Sequence, residues 1–254
     1  MSRRGDPDDL SIVIHELRNP LVGIDAAARV LANELGSHPA SGRASAIASE
    51  ARHMLALLDG LADAEAAAAG RLRSRPRAAD LSRIARGAVA AAQFPDHRVA
   101  LRGDAEPLMV MADEGRIRQV LANLLANAAQ YSPAGSTIEV SVRAQRRRAV
   151  ASVEVRDHGP GLTAADRRRL FKKFARLSTS GGTRGSGLGL FICRAIVADH
   201  GGELRHANAA GGGSAFTFTL PLALSDSSLG GTPRSDPGAR SRRFAPRSAR
   251  PGDG

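Results

Sequence analysis

The chain has 254 residues, 43% of them apolar, with one cysteine and a net charge of +11; that apolar fraction can build one large core or two ordinary ones and excludes a wholly disordered chain. The lone Cys193 excludes a disulfide framework and any cysteine-rich metal site, no apolar run approaches the roughly 20 residues that cross a bilayer, and residues 1–10 lack the core of an export signal, so a cytoplasmic chain with no transmembrane segment is expected. The charge invites a nucleic-acid reading, but arginine is spread along the chain and only 3% of residues are aromatic, which leaves no platform for stacking bases; solvated charge with a subset facing an anionic ligand is preferred, and no nucleic acid is expected.

From Leu10 the apolar positions Leu10, Ile14, Leu17, Leu21, Ile24, Ala28, Leu31 and Leu35 alternate steps of four and three, the spacing of a coiled-coil seam. Gly36-Ser37-His38-Pro39 supplies a stop, and Ile47, Ala51, Met54, Leu58 and Leu61 repeat the spacing in a second helix. One hairpin cannot cover such a stripe, so a dimeric four-helix bundle is predicted over residues 8–69, behind a short extension at 1–7. Residues 70–79 lack periodicity and read as a linker. Residues 80–222 then mix patterns. Helices are expected over 81–93, over 113–130 with Asp113 as cap, and over 187–200; strands are expected over 99–102, 108–111, 137–143, 149–156, 203–206 and 215–220. The class is α+β with two domains, the second a two-layer α/β sandwich. Residues 223–254 are Ser, Gly, Pro and Arg with little to bury, and read as a disordered basic tail.

Four constellations carry chemistry. In Ile14-His15-Glu16-Leu17-Arg18-Asn19-Pro20-Leu21, the leucines lie on the seam while His15 and Glu16 point away from it. A neutral imidazole can attack as a nucleophile and an adjacent carboxylate can take its proton, with Pro20 loosening the helix one turn on; a bland surface His–Glu pair fits the same residues. Asn123 and Asn127, four apart, share a helix face opposite Leu121, Leu124, Leu125 and Ala128, and read either as oxygen ligands for Mg²⁺ or as solvated amides. Asp157-His158-Gly159-Pro160-Gly161 sets a carboxylate at a strand end before a sharp turn, suited to accept from an amino group of a bound base, though an ordinary turn has the same composition. Gly185-Ser186-Gly187-Leu188-Gly189-Leu190 brings backbone N–H groups and a helix N-terminus together for phosphate, behind a basic segment, 163–184, that reads as a mobile lid.

In this order and spacing the four constellations resemble the sensor histidine kinase family over about residues 8–222, and Leu170-Phe171-Lys172-Lys173-Phe174-Ala175-Arg176 resembles its phenylalanine box. The resemblance implies a Bergerat (GHKL-type) ATP-binding fold, shared with gyrase- and Hsp90-like ATPases, joined to a dimerisation and phosphotransfer bundle. It implies His15 as phosphoacceptor, Glu16 as general base, and Asn127 as the Mg²⁺ ligand with Asn123 beside it. Asp157 would bind the adenine amino group with Gly159 and Gly161 turning behind it, Tyr131 would stack on the base, and Gly185, Gly187, Leu188 and Gly189 would cradle the phosphates, with Arg176 and Arg184 neutralising them. Asn19 matches the position that orients water against a phospho-aspartate, implying phosphatase activity too. The implied partners are a response-regulator receiver domain and a second copy through the hairpin; since few residues precede the phosphoacceptor helix, the signal is expected from a separate sensor protein, through the tail, or from a part beyond this chain.

Two residues depart from the family pattern: Gln130 stands where Lys or Arg is usual, and Ile14 where a small or polar residue is usual. A serine kinase of the anti-sigma-factor type and a catalytically silent nucleotide-binding module are the rival readings; the His-Glu-Leu-Arg-Asn-Pro run argues against the first, and Asn127 and Asp157 against the second.

Overall fold

The computed structural model describes residues 7–103, 106–175 and 186–223, with side chains from residue 12 onward. Arg176, Arg184, Gly185, the Leu10 side chain and the tail from residue 224 lie outside the described residues.

Helices α1 (Pro7–Leu35) and α2 (Ser41–Ala68) form an antiparallel hairpin, and α1 runs on through Pro20. The expected seam divides into two rows. Ile14, Leu21 and Ala28 are buried at seven-residue spacing, facing an alanine row of α2, Ala44, Ala48 and Ala51, whose small side chains let the helices approach. Leu17, Ile24 and Leu31, offset by three, stay 49%, 46% and 47% exposed, as do Ile47 and Met54 of α2. One partner helix covers only one row of a two-row stripe. The Arg18–Asp59 ion pair and Arg52 Nε 3.3 Å from Asp25 mark the register.

The remaining elements are β1 (Arg77–Asp80), α3 (Leu81–Ala91), β2 (Arg98–Gly103), β3 (Met109–Ala112), α4 (Glu114–Tyr131), β4 (Thr137–Gln145), β5 (Val150–Arg156), α5 (Ala164–Arg169), α6 (Gly189–Asp199), β6 (Leu204–Asn208) and β7 (Ser214–Pro221). β1 and β3 make a small antiparallel pair, and the main sheet has the order β2-β4-β5-β7-β6, parallel only between β2 and β4. Alternation on β4 and β7 sends Ile138, Val140, Phe216, Phe218 and Leu220 to one face. Leu81 and Ile84 of α3, Leu121, Leu124 and Leu125 of α4, and Ile192 and Ile196 of α6 complete the core, giving two layers. Asp80 and Asp113 cap α3 and α4, accepting from Ser82 N at 2.9 Å and Arg116 N at 3.2 Å.

Two elements were not expected. α5 begins inside the segment read as a basic lid, where Thr163 accepts from Asp166 N at 3.1 Å and donates to its carboxylate at 2.8 Å, a reciprocal cap in a Thr-x-x-Asp run. β1 starts at Arg77, within the 70–79 segment read as a linker. That segment is held down as well: Leu72 is buried, Ser74 N donates to Asp199 Oδ2 at 2.6 Å and Arg75 N to Asp113 Oδ2 at 3.0 Å. The last turns of α2 join the same core, with Ala64 fully buried and Leu61, Ala66 and Ala67 packed against it. Among the described residues no helix is long and apolar enough to cross a membrane.

Candidate active site

The site assembles where α4, the turn after β5, and the start of α6 meet. α4 buries Val120, Leu121, Leu124, Leu125 and Ala128, and this orients Asn123 and Asn127 along another face, half-buried. Asn127 and Tyr131 border a narrow cavity. Its floor is Asp157, 4% exposed, and its apolar walls come from Leu162, Leu190 and Phe216, with Pro160, Gly161 and Ser214 closing it. A narrow apolar slot with one carboxylate at its base suits a flat heterocycle carrying an amino donor.

The carboxylate is fixed. Asp157 Oδ1 accepts from Gly159 N at 2.8 Å and from Ser214 N at 2.9 Å, and Asp157 N donates to Ser214 O at 2.8 Å. This crossing from β5 to β7 needs a glycine at 213, where φ is +91° and a Cβ would sit 2.0 Å from Asp157 O. Gly161 is tied to the sheet through its neighbour: Leu162 N donates to Asn208 Oδ1 and Leu162 O accepts from Asn208 Nδ2, both at 3.0 Å.

The anion end is built by Gly187, Leu188 and Gly189. Leu188 is buried, Gly189 opens α6 beside Asn123, whose Cγ is 3.7 Å from where a Gly189 Cβ would lie, and the α6 N-terminus has no side-chain cap. Uncapped N–H groups at a helix start favour a phosphate. Asn123, Asn127, Tyr131, Asp157, Gly159, Gly161, Gly187, Leu188 and Gly189 thus gather at one place. His15, Glu16 and Asn19 do not border the cavity; they are exposed on α1, with His15 and Asn19 one turn apart on one face. Ile14, the unusual residue before the histidine, is an inward-facing hairpin core position, 5% exposed.

Three cavity residues, Leu162, Ser214 and Phe216, escaped the sequence reading. The last two reach the site through the β5–β7 pairing, which sets Phe216 opposite Val155; the alternation of Ser214, Phe216 and Phe218 was the available signal. Two nearby titratable groups are held in their neutral forms at neutral pH. Burial, partly offset by a hydrogen bond with Asn123, pushes the Cys193 thiol up to about 12. Burial, with Arg167 nearby, lowers His206 to about 4, and its ring lies 4.9 Å from that of Phe216.

Residues 112–224 match the family model of histidine kinase-, DNA gyrase B-, and HSP90-like ATPases. The chain is 30% identical over 224 residues to the sensor protein KdpD of Clostridium acetobutylicum, covering 85% of this chain and 24% of that one. It is 31% identical over 221 residues to the adaptive-response sensory kinase SasA of Synechococcus sp., covering 84% of this chain and 58% of that one. Over most of its length the chain is similar to the catalytic cores of sensor histidine kinases. It spans less than two thirds of either of these sensor kinases. Full-length ShkA in complex with AMPPNP matches with a TM-score of 0.69 and 27% identity over 86% of this chain and 46% of that one. The mycobacterial sensor histidine kinase MprB matches with 0.53 and 28% over 57% of this chain and 98% of that one. The fold is therefore a helical pair followed by a GHKL-type α/β domain.

Proposed function

We propose that this chain is an ATP-dependent protein histidine kinase that phosphorylates itself on His15 and passes the phosphoryl group to an aspartate of a response-regulator receiver domain. Residues 8–69 serve as the phosphotransfer hairpin, 80–222 as the ATP-binding domain, and the working unit is a homodimer. The observation that carries the reading is the junction of the two halves. The ion pairs of the hairpin bring His15 level with Ala62 of α2, and the next residue, Asp63, accepts from Arg116 at 2.8 Å and from Gln119 at 2.6 Å. Arg116 and Gln119 lie on the α4 face that continues to Asn123 and Asn127. His15 is thus at the height at which the nucleotide face of α4 begins.

Asp157 accepts from the adenine amino group, Tyr131 and Phe216 flank the ring, and the N–H groups from Gly187 to the start of α6 take the phosphates. Asn127 offers an amide oxygen to Mg²⁺, which would screen charge on the transferring phosphate. A neutral His15 nitrogen attacks the γ-phosphorus, the bond to the β,γ-bridging oxygen breaks with its electrons leaving on ADP, and Glu16 takes the ring proton. The exposure of the Leu17, Ile24 and Leu31 row supports the homodimer. Exposed Asn19, on the His15 face, supports a phosphatase reaction in which it orients water against the regulator's phospho-aspartate.

Incubation with γ-labelled ATP and Mg²⁺ tests the reading. Acid-labile, base-stable label that disappears in His15→Ala and Asn127→Ala is expected. Acid-stable label would point to a hydroxyl acceptor and the serine-kinase alternative, and nucleotide binding without label to a silent module.

A further inference from the structure

Among the described residues, Gln130 stands at the phosphate end of the site where the family usually carries a cation. Among the described residues, Arg116 of α4 and Lys173, in the turn before the phosphate loop, are both engaged by α2. Arg116 contacts both Asp63 oxygens at 2.8 Å and Gln119 at 2.9 Å. Lys173 Nζ lies 2.5 Å from Glu65 Oε1, with both side chains partly exposed, 26% and 39%.

The backbone following Lys173 presses on the phosphate loop. A Cβ at Gly187 would lie 2.8 Å from both Phe174 C and Ala175 O. Lys173 is therefore one residue from the loop, and its four-carbon stem can reach either α2 or an anion bound at Gly187. Phe174 has φ +59° and is 58% exposed, a left-handed aromatic of the kind that gathers at functional sites. A partly exposed Lys–Glu pair is weak, so a triphosphate with several charges can displace the carboxylate.

We infer that Lys173 is a phosphate-binding residue of this site, and that Glu65 of the hairpin competes with nucleoside triphosphate for it. Triphosphate and the Glu65 contact then oppose each other: binding loosens α2 from the segment beside the phosphate loop, and the contact weakens binding by the same factor. The inference rests on the ATP reading above.

The test is titration of the full chain with a non-hydrolysable ATP analogue and with ADP, comparing wild type, Lys173→Gln, Glu65→Gln and the double variant, each checked for folding by thermal melting. Loss of one charge-assisted contact weakens analogue binding by about tenfold in Lys173→Gln, with a smaller effect on ADP. Glu65→Gln binds the analogue several-fold tighter, and the double variant matches Lys173→Gln. Unchanged affinity in Lys173→Gln, or unchanged or weaker affinity in Glu65→Gln, overturns the inference; if Lys173→Gln does not fold, Glu65→Gln alone decides. A wild type that binds neither nucleotide brings down the ATP reading itself, and this inference with it.

Discussion

The imidazole of His200 accepts the backbone N–H of Asp113 through Nε2 at 2.9 Å, and so fastens the end of α6 to the start of α4. Its other nitrogen faces Ile196 O at 2.7 Å and must carry the ring proton, which fixes the tautomer. Asp113 itself is held below the usual carboxylate range: burial alone would raise it, but the N–H groups of Arg75, Arg116 and Gly115 outweigh that. The two helices that carry the nucleotide face are thus clamped at the end away from the adenine cavity. Replacing His200, which is 6% exposed, by Phe keeps the ring but orphans the Asp113 N–H. A loss of about 1–3 kcal/mol in urea denaturation is expected; an unchanged midpoint and slope would show that the clamp contributes nothing.

His206 gives the fold a pH dependence of known sign. Folding lowers it to about 4, so the folded ring is neutral while the unfolded chain takes up a proton below about 6.5. Its contribution is therefore fully present above pH 6.5 and declines as pH falls toward 4, below which both states are protonated. Neither ring nitrogen has a hydrogen-bond partner, so His206→Phe removes the titration without breaking a bond. Melting temperatures of wild type and variant, followed from pH 7.5 to pH 4.5, should separate progressively in favour of the variant. Parallel curves would sink the assignment.

Asp157→Asn separates the carboxylate's two tasks. If the amide oxygen keeps the N–H bonds of Gly159 and Ser214, the fold survives and the amide nitrogen faces the cavity as a donor, unable to accept from adenine. Analogue affinity should fall by tenfold or more, on the order expected when a buried polar match is lost, at nearly unchanged melting temperature. A variant that binds the analogue as tightly as wild type would remove Asp157 from the base site.

The two rows of α1 should respond differently to one kind of change. Leu21→Ala opens a gap inside the hairpin and should destabilise the fold by about 2–5 kcal/mol if the gap does not collapse. Ile24→Glu, on the exposed row, should leave each chain folded and shift sedimentation equilibrium from dimer to monomer. A monomeric wild type would refute the dimer.

Most elements were legible because their signals are local: periodicity and a cap for α4, alternation for β4 and β7. The two-row character of α1 was legible as spacing, while the row that faces α2 depended on which helix face the turn at Gly36 presents. β1 was hidden because four residues, Arg-Ala-Ala-Asp, carry no alternation and are ordered by pairing with β3. In the site, Asn127 and Asp157 were readable from spacing and strand-end position. Ser214 and Phe216 arrive from 57 or more residues away by strand pairing, as the Ser214–Asp157 bond illustrates, and Lys173 became notable only once α2 was seen beside it.

The single sulfhydryl offers a way to watch this protein breathe. Cys193 is wholly enclosed on α6, next to Asn123, and its thiolate form is suppressed at neutral pH. A thiol reagent can reach it only when the packing around α6 opens, so under native conditions the labelling rate reports such openings. Nucleotide held between α4 and α6 should slow that rate in proportion to its occupancy, giving a readout of binding that needs no label on the ligand and no turnover.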